Sequence, residues 1–251
     1  MSALNDQNLR ERLAGRTRFR AFEHLARCGS TQDEALTRRG DVCIWSDEQV
    51  RGRGRKERSW FGEKGRDVEV TFRVEAFLPP RPELVASALP TAILLALENC
   101  CAHRLTLKWP NDVLHQGRKL CGILMDVHGS TDPVWLVGIG VNVARDGFPP
   151  MLADRATSLQ AIAGGPVCRA DVVFELAVAV DEAIASLAKD DLAALTDAFR
   201  ARTGWLGRNV RIAVAGGPTR IGPIEDLDLA SVRLGDAPPI PLALIESLSL
   251  V

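Results

Sequence analysis

Two stretches of this sequence gather residue types that handle anions. The first is Lys108-Trp-Pro-Asn-Asp112 with Lys119-Leu-Cys-Gly122 close behind, bringing together two lysines, an asparagine and an aspartate. Such a charged cluster, held on a rigid frame, is the usual setting for chemistry. The second is Gln49-Val-Arg-Gly-Arg-Gly-Arg-Lys-Glu-Arg-Ser-Trp60. From Arg51 to Arg66 seven basic residues stand against Glu57 and Glu63, in a chain whose formal net charge is −1. Gly52 and Gly54 open backbone conformations closed to other residues, so successive N–H groups can converge on an anion. Arginine adds a planar fork matched to carboxylate or phosphate. A solvated turn and a mobile loop are the plain structural alternatives for these two stretches.

These groups need a frame. Alternation in Arg104-Leu-Thr-Leu-Lys-Trp109 predicts a half-buried strand, and Pro110 with the turn-forming Asn111-Asp112 predicts its end. Val113-Leu114, a turn at His115-Gln-Gly-Arg118 and the apolar run Leu120 to Val127 predict a hairpin, which places the charged cluster at one end of a sheet. Phe19 to Leu25, Val42 to Trp45, Val68 to Val74 and Val134 to Val143 read as further strands. The last carries Gly138-Ile-Gly-Val-Asn142, and paired glycines in a strand mark close approach of a ligand or another backbone, or plain packing.

Helices are predicted over Leu4 to Ala14, after Ser30-Thr31, over Glu83 to Cys101 with a kink or break at Pro90, and over Ala170 to Leu187 and Asp191 to Arg202. Asp171 and either Asp190 or Asp191 are the expected starts of the last two. Ser30 or Thr31 can cap its helix, bind a ligand, or do both, because a helix N-terminus presents free N–H groups. Beyond Trp205 the texture changes to short strands with Gly and Pro turns: Val210 to Val214, Arg220 to Ile224, Ser231 to Leu234 and Leu242 to Leu248. That spacing predicts a small β-barrel.

At 251 residues the chain has room for a large domain and a small one, expected at 1–205 and 206–251. Near-neutral charge gives no global field for nucleic acid or membrane. The six cysteines lack CxxC spacing and the four histidines lack metal-ligand spacing, which argues for reduced thiols and against zinc. The polar start of the chain lacks the apolar core of a secretory signal, so a cytoplasmic protein is expected. No GxxxxGK[ST], HExxH, GxSxG or complete GxGxxG is present.

Gly52-Arg-Gly-Arg55, Lys108-Trp-Pro-Asn-Asp112, Lys119-Leu-Cys-Gly-Ile123 and Gly138-Ile-Gly-Val-Asn142, in this order and spacing, resemble the biotin protein ligase family. The likeness runs from about Phe19 to the C-terminus and resembles the short form, without an N-terminal DNA-binding domain. It implies an α+β fold: a mixed, class II synthetase-like sheet packed by helices, with a small C-terminal SH3-like β-barrel. The activity implied is ATP-dependent formation of biotinyl-5′-adenylate, then transfer of biotin to one lysine of a biotin carboxyl carrier domain. Biotin, ATP and Mg²⁺ would be the small molecules, and the protein would be a monomer or homodimer.

The resemblance also distributes roles. Ser30, Thr31, Gln32, Gln49, Gly52, Arg53, Gly54, Arg55, Lys119 and Gly122 would bind biotin. Arg55, Trp60, Lys108, Asn111 and Asn142 would bind the nucleotide, with Trp60 stacking on the base and Asn142 reading the adenine edge. Lys119, Arg55 and Asp112 would be catalytic, Asp112 also helping to hold Mg²⁺. Three departures stand out: Glu57 in place of a third glycine, Gln32 in place of Asn, and Phe61-Gly-Glu-Lys-Gly-Arg-Asp-Val-Glu69 where a Ser-Pro pair and Gly-x-Asn-Leu-Tyr are usual. The rival readings are a lipoate or octanoate ligase of the same fold and a non-enzymatic biotin-sensing or nucleic-acid-binding protein.

Overall fold

The computed structural model describes residues 3–251, without the side chains of residues 3–5 and of Glu57. Met1 and Ser2, where the expected first domain begins, and the Glu57 carboxylate lie outside the described residues. Seven strands, β1 (Ala21–Leu25), β2 (Val42–Ser46), β3 (Val68–Glu75), β4 (Thr106–Lys108), β5 (Asp112–His115), β6 (Arg118–His128) and β7 (Val134–Val141), form one sheet. Its order is β1-β2-β3-β7-β6-β5-β4. β1 and β2 run parallel and the remaining pairs antiparallel, so the sheet is mixed as expected.

The two-residue period of the strands decides which face is which. In β3, Val68, Val70, Phe72 and Val74 enter the main core, leaving Glu69, Thr71 and Arg73 to alternate onto the opposite face. Helices α3 (Val85–Cys101) and α5 (Arg169–Lys189) pack against each other on the core side, with α1 (Ala3–Arg16) against α5. On the opposite face lies the short α2 (Thr31–Leu36), over β2, β3 and β7, where Ala35, Val42, Ile44 and Leu136 make a small separate core. That thinly covered face is where the site forms.

The segment Pro82–Cys101 is apolar and long enough to cross a membrane, yet 72% of its apolar window is buried among the other helices. It is the central core helix. Pro90 neither breaks it nor ends it: α3 runs through, surrounded by buried Ser87, Ala88, Leu89, Thr91 and Ala92. Tertiary packing here outweighs the lost backbone donor. The hairpin between β5 and β6 turns at Gln116-Gly117, with φ of +49° and +78°, the left-handed pair that a two-residue turn requires.

Helix starts differ from the sequence reading. Cys168 precedes α5, with Asp171 in its first turn, and Asp190 ends that helix in the left-handed region at φ +54°. α6 (Ala193–Thr203) follows Leu192, so neither Asp190 nor Asp191 begins it. A further short helix, α4 (Leu159–Ala163), is capped by Ser158 Oγ, which accepts from Ala161 N–H.

Strands β8 (Asn209–Val214), β9 (Arg220–Leu227), β10 (Ser231–Leu234), β11 (Ile240–Pro241) and β12 (Ile245–Leu250) make a five-stranded sheet of order β11-β10-β9-β8-β12. The expected closed barrel is therefore a sheet with edges at β11 and β12, because the last run divides around a helical turn at Leu242–Leu244. Its inner residues Val210, Ile212, Ile224 and Val232 share one apolar cluster with Phe199 and Trp205.

One buried ion pair ties the sheet to the segments that follow its strands. Asp67, just before β3, accepts from Glu63 N–H (2.7 Å), from Val143 N–H (3.2 Å) and from Arg145 Nε (2.8 Å). Arg145 also donates to Phe61 O at 2.6 Å. Both side chains are almost fully covered. Removing one partner of such a pair strands the other charge without water. Arg145→Met is expected to cost about 3 kcal/mol, lowering the melting temperature by roughly 6–12 °C in thermal denaturation; an unchanged melting temperature would show that Asp67 finds its compensation elsewhere.

Candidate active site

A single row of directly opposed residues crosses the open face of the large sheet. Lys108 faces Asp112, Asp112 faces Gly122, Gly122 faces Gly140, Gly140 faces Glu69, and Glu69 faces Ser46. Opposed residues share a face, so this row is charged at both ends and bare in the middle. Trp60 fills the bare stretch. A Cβ on Gly140 would lie 2.3 Å from Trp60 Cε2, and one on Gly122 would lie 3.0 Å from Trp60 Cζ3. One residue pair along, a Cβ on Gly138 would meet Gln32 Nε2 at 2.8 Å. The Gly-Ile-Gly alternation thus clears the face twice while Ile139 stays in the core.

Above this row is a cavity of about 460 Å³. Ser30, Thr31, Gln32 and Gln49 line one side, and Arg53, Gly54, Arg55, Trp60, Lys108, Asn111, Asp112, Lys119 and Gly122 line another, with Lys56 and Arg58 adding to its positive charge. Gly52 lies instead on an adjoining groove of about 1100 Å³, and its place is set by the loop: a Cβ there would be 2.7 Å from Trp60 O. Asn142 is not among the lining residues. Its Nδ2 donates to Lys119 O (3.2 Å) and Thr157 O (3.0 Å), so its amide nitrogen is spent joining β6 to the segment before α4. That leaves its Nδ2–H groups unavailable for the expected adenine contact.

The neutral side of the cavity is a fixed relay. Thr31 N–H and Thr31 Oγ1–H donate to Gln49 Oε1 at 2.6 and 3.0 Å, and the Thr31 and Thr71 hydroxyls pair at 2.8 Å. Gln32 Nε2 donates to Leu124 O at 2.9 Å. Gln32 lines the cavity, and its Oε1 is a buried acceptor with no hydrogen-bond partner from the protein. Ser30 occupies the N-cap position of α2, yet its side chain makes no capping hydrogen bond. Neither side chain is spent on a cap: Ser30 lines the cavity without a capping bond, and the Thr31 hydroxyl belongs to the relay with Gln49 and Thr71.

The cationic side is held in place by internal partners. Lys119 Nζ sits 2.6 Å from Asp112 Oδ1 and 5.6 Å from the Trp60 ring. The Asp112 contact is an ion pair without hydrogen-bond geometry, since Oδ1 still counts as a buried, unpartnered acceptor. Arg53 pairs with Asp33 at 2.8 Å, and Arg55 donates to Asn111 Oδ1 at 3.4 Å. The basic loop is not the free strap the sequence allows. Trp60 N–H donates to Gly52 O (2.9 Å) and Gly54 N–H to Arg58 O (2.7 Å), folding it into a small antiparallel turn with Lys56 at φ +54°. Those two amides are therefore not available to an anion, and the loop offers side chains instead.

Sequence reasoning did not select Glu69 or Thr71 on β3, or the Ile245 to Leu248 segment of β12 that walls the cavity from the C-terminal sheet. Glu69 had a signal in its place within an alternating apolar strand. The β12 contribution had none, because a docking contact leaves no local pattern. Among the described residues no group of three or more His, Cys, Asp or Glu could hold a metal ion by itself.

Residues 33–143 match the model of the Biotin/lipoate A/B protein ligase family. The chain is 33% identical to a biotin–[acetyl-CoA-carboxylase] ligase of Paracoccus denitrificans over 220 residues, covering 81% of this chain and 89% of that one. It is 35% identical over 136 residues to the bifunctional ligase/repressor BirA of Bacillus subtilis, covering 52% of this chain and spanning only 42% of that relative's length. In three dimensions it resembles the biotin protein ligase of Aquifex aeolicus in complex with biotin and ATP, with a TM-score of 0.76, 25% identity, and coverage of 93% of this chain and 100% of that one. The chain belongs to the Biotin/lipoate A/B protein ligase family and, within it, to the biotin protein ligases.

The bare strip makes a specific demand. Gly140→Ala is expected to displace Trp60, destabilise the fold by about 1–3 kcal/mol and red-shift tryptophan emission, with the shift lost in a Trp60→Phe background. Gly147→Ala, where no atom lies within 4 Å of an added Cβ, is the control. Identical spectra and melting curves for both alanine variants would show that Trp60 does not depend on the strip.

Proposed function

We propose that this protein joins biotin to ATP, forming biotinyl-5′-adenylate and pyrophosphate. It then passes the biotinyl group to a lysine of the biotin carboxyl carrier domain of a biotin-dependent carboxylase. The observation that carries this reading is the division of one cavity into two chemistries. One side has neutral donors and acceptors at fixed positions, and the other has three lysines and three arginines. A ureido ring with a carboxylate tail needs the first at one end and the second at the other, where the tail meets a triphosphate.

Each side has a task. Gln32 Oε1, buried and unpartnered, is placed to accept a ureido N–H, and the Thr31 and Ser30 hydroxyls complete that end. The carboxylate and the α-phosphate are both anionic, and bringing them together requires concentrated positive charge at the junction. Arg53 and Arg55 supply it from the loop. Lys119 supplies it from β6, where the sheet fixes its position, so its charge is in place before the transferring oxygens develop theirs. As the carboxylate oxygen attacks the α-phosphorus, the bond to pyrophosphate breaks and the departing oxygens carry the charge away past Lys108. Trp60, with Asn111 beside it, covers the base.

Asp112 would hold Mg²⁺ as a single protein carboxylate, its Oδ1 now facing the Lys119 ammonium at 2.6 Å, a cation whose place a metal ion could take; Mg²⁺ usually takes one or two carboxylates with substrate phosphates completing the shell. A bound Mg²⁺ would neutralise charge on the phosphate oxygens. We take residues 1–205 as the catalytic domain and 206–251 as a separate C-terminal domain of SH3-like type, whose β12 closes the cavity. The six cysteines are all free, which suits the reducing cytoplasm.

Two outcomes are expected. Lys119→Ala lowers biotin-dependent pyrophosphate release by roughly 100-fold or more while circular dichroism and melting temperature stay close to wild type; equal turnover removes Lys119 from the mechanism. Biotin with Mg-ATP raises the melting temperature, as any ligand bound only by the folded state must, and octanoate or lipoate with Mg-ATP does not. A larger rise with lipoate would favour the rival ligase. Intact-mass analysis of a carrier domain, showing the gain of one biotinyl group or none, decides the second half-reaction.

A further inference from the structure

One buried carboxylate beside the cavity has no part in the reaction above. Glu69 lies on the row that carries Gly140 and Gly122, 3% exposed, directly behind Gln49. Its Oε2 accepts from Gln49 backbone N–H at 2.9 Å, and its Oε1 accepts from Gln49 Nε2 at 3.2 Å. The space for it is made by Gly62, where a Cβ would fall 2.3 Å from Glu69 Oε1. Burying a charged group is costly unless it is hydrogen-bonded, and here both carboxylate oxygens are held by Gln49, so the group also orders that residue.

What it orders is the polarity of the relay. A side-chain amide has a donor end and an acceptor end. With Glu69 accepting from Nε2, Gln49 must turn Oε1 towards Thr31, whose backbone N–H and hydroxyl both donate to it. The reverse orientation would set amide oxygen against carboxylate and NH₂ against a backbone N–H. With the Thr31 hydroxyl proton committed to Gln49, its oxygen accepts from the Thr71 hydroxyl at 2.8 Å, so both threonines have only oxygen lone pairs left to offer the cavity they line. We propose that Glu69 is a positioning residue for the acid-binding end of the site: through Gln49 it fixes Thr31 as an acceptor and so selects a ligand that presents N–H groups there. The inference rests on the biotin reading above.

The carboxylate must be ionised to accept two hydrogen bonds from one glutamine. Burial pushes its pKa up to about 7, with the Gln49 hydrogen bonds opposing. The charged and titratable groups around it are few. Asp67 at the start of β3 raises it further, Arg145 beyond β7 lowers it, and the neighbouring Cys28 thiol is itself pushed up by burial. Ser46 and Gly140, its partners on either side, carry no charge. The sign follows: above the midpoint Glu69 is ionised and the relay is set; as pH falls through it, a proton on the carboxyl confronts the Gln49 NH₂ and the relay loosens. Biotin's own carboxylate, like other aliphatic acids, ionises well below this range.

Isothermal titration of the whole protein with biotin, from about pH 6 to about pH 8.5, reads this directly. The wild-type Kd is expected to be flat above neutrality and to rise below it by up to ~10-fold per pH unit. Glu69→Gln is expected to bind biotin ~10-fold more weakly with no inflection, raising the KM for biotin while kcat at saturation and the KM for ATP stay within about twofold. Gly62→Ala, which keeps the carboxylate but displaces it, is expected to weaken biotin binding in the same direction. A wild-type Kd that is flat across the range, or a Glu69→Gln protein with wild-type affinity, would overturn the proposal. Should the wild type bind no biotin at any pH, the ligase reading fails and this inference with it; pH-independent binding sinks the inference alone.

Discussion

The absence of side chains at two facing positions, Gly122 on β6 and Gly140 on β7, is the constraint on which the site depends. A β-sheet ordinarily presents a layer of side chains that keeps a neighbouring ring several ångströms from the backbone. Here the layer is missing, and Trp60 lies against the sheet itself. Since Trp60 ends the basic loop and bonds back to Gly52, lowering the ring onto the strip also lowers Arg53 and Arg55 to the cavity rim. The strip therefore sets the height of the cationic groups above the sheet. The polar groups that flank it, Lys108 and Asp112 on one side and Glu69 on the other, need no separate positioning, because the strand register already places them in line.

The two ends of the cavity are kept in order by different forces. Around Thr31, Gln49 and Glu69 the groups are buried and interlocked, so each misplaced donor would cost on the order of 1–3 kcal/mol and a single arrangement results. Around the loop the groups are half exposed and paired pairwise, Arg53 with Asp33 and Arg55 with Asn111. Exposed pairs are worth little, roughly 0–1 kcal/mol. One end is thus built to hold still and the other to rearrange, the division expected of a site that recognises a small neutral ring and then handles changing charge.

Much of this was legible in the sequence for identifiable reasons. Alternation gave the strands, and Gln116-Gly117 gave the hairpin because that turn admits few residues at positive φ. Glycines two apart in β7 signalled close approach, although only the packing shows that the visitors are Gln32 and Trp60. Other features could not be read. Asn142 carries the same residue type in a strand-end motif as a ligand contact would, and only the geometry shows its amide spent on Lys119 O and Thr157 O. Pro90 reads as a helix breaker because local preference is all that a sequence window contains. The open five-stranded C-terminal sheet read as a barrel because strand spacing does not encode which edges meet.

The pairing of Arg53, Arg55 and Lys119 with internal partners bears on how an anion-binding site is kept without ligand. Three lysines and three arginines around one cavity would repel one another if bare, and would raise the local potential enough to attract any anion. Asp33, Asp112 and Asn111 moderate that field without removing it, since they leave the cations half exposed at the rim. An incoming phosphate competes with carboxylates whose hold is weak in a high-dielectric surround, and it offers more acceptor oxygens than they do. A ligand lacking such oxygens has nothing to exchange for the resident pairs. Discrimination at this end therefore comes from the pairs that must be given up, while at the other end it comes from the acceptors that must be satisfied.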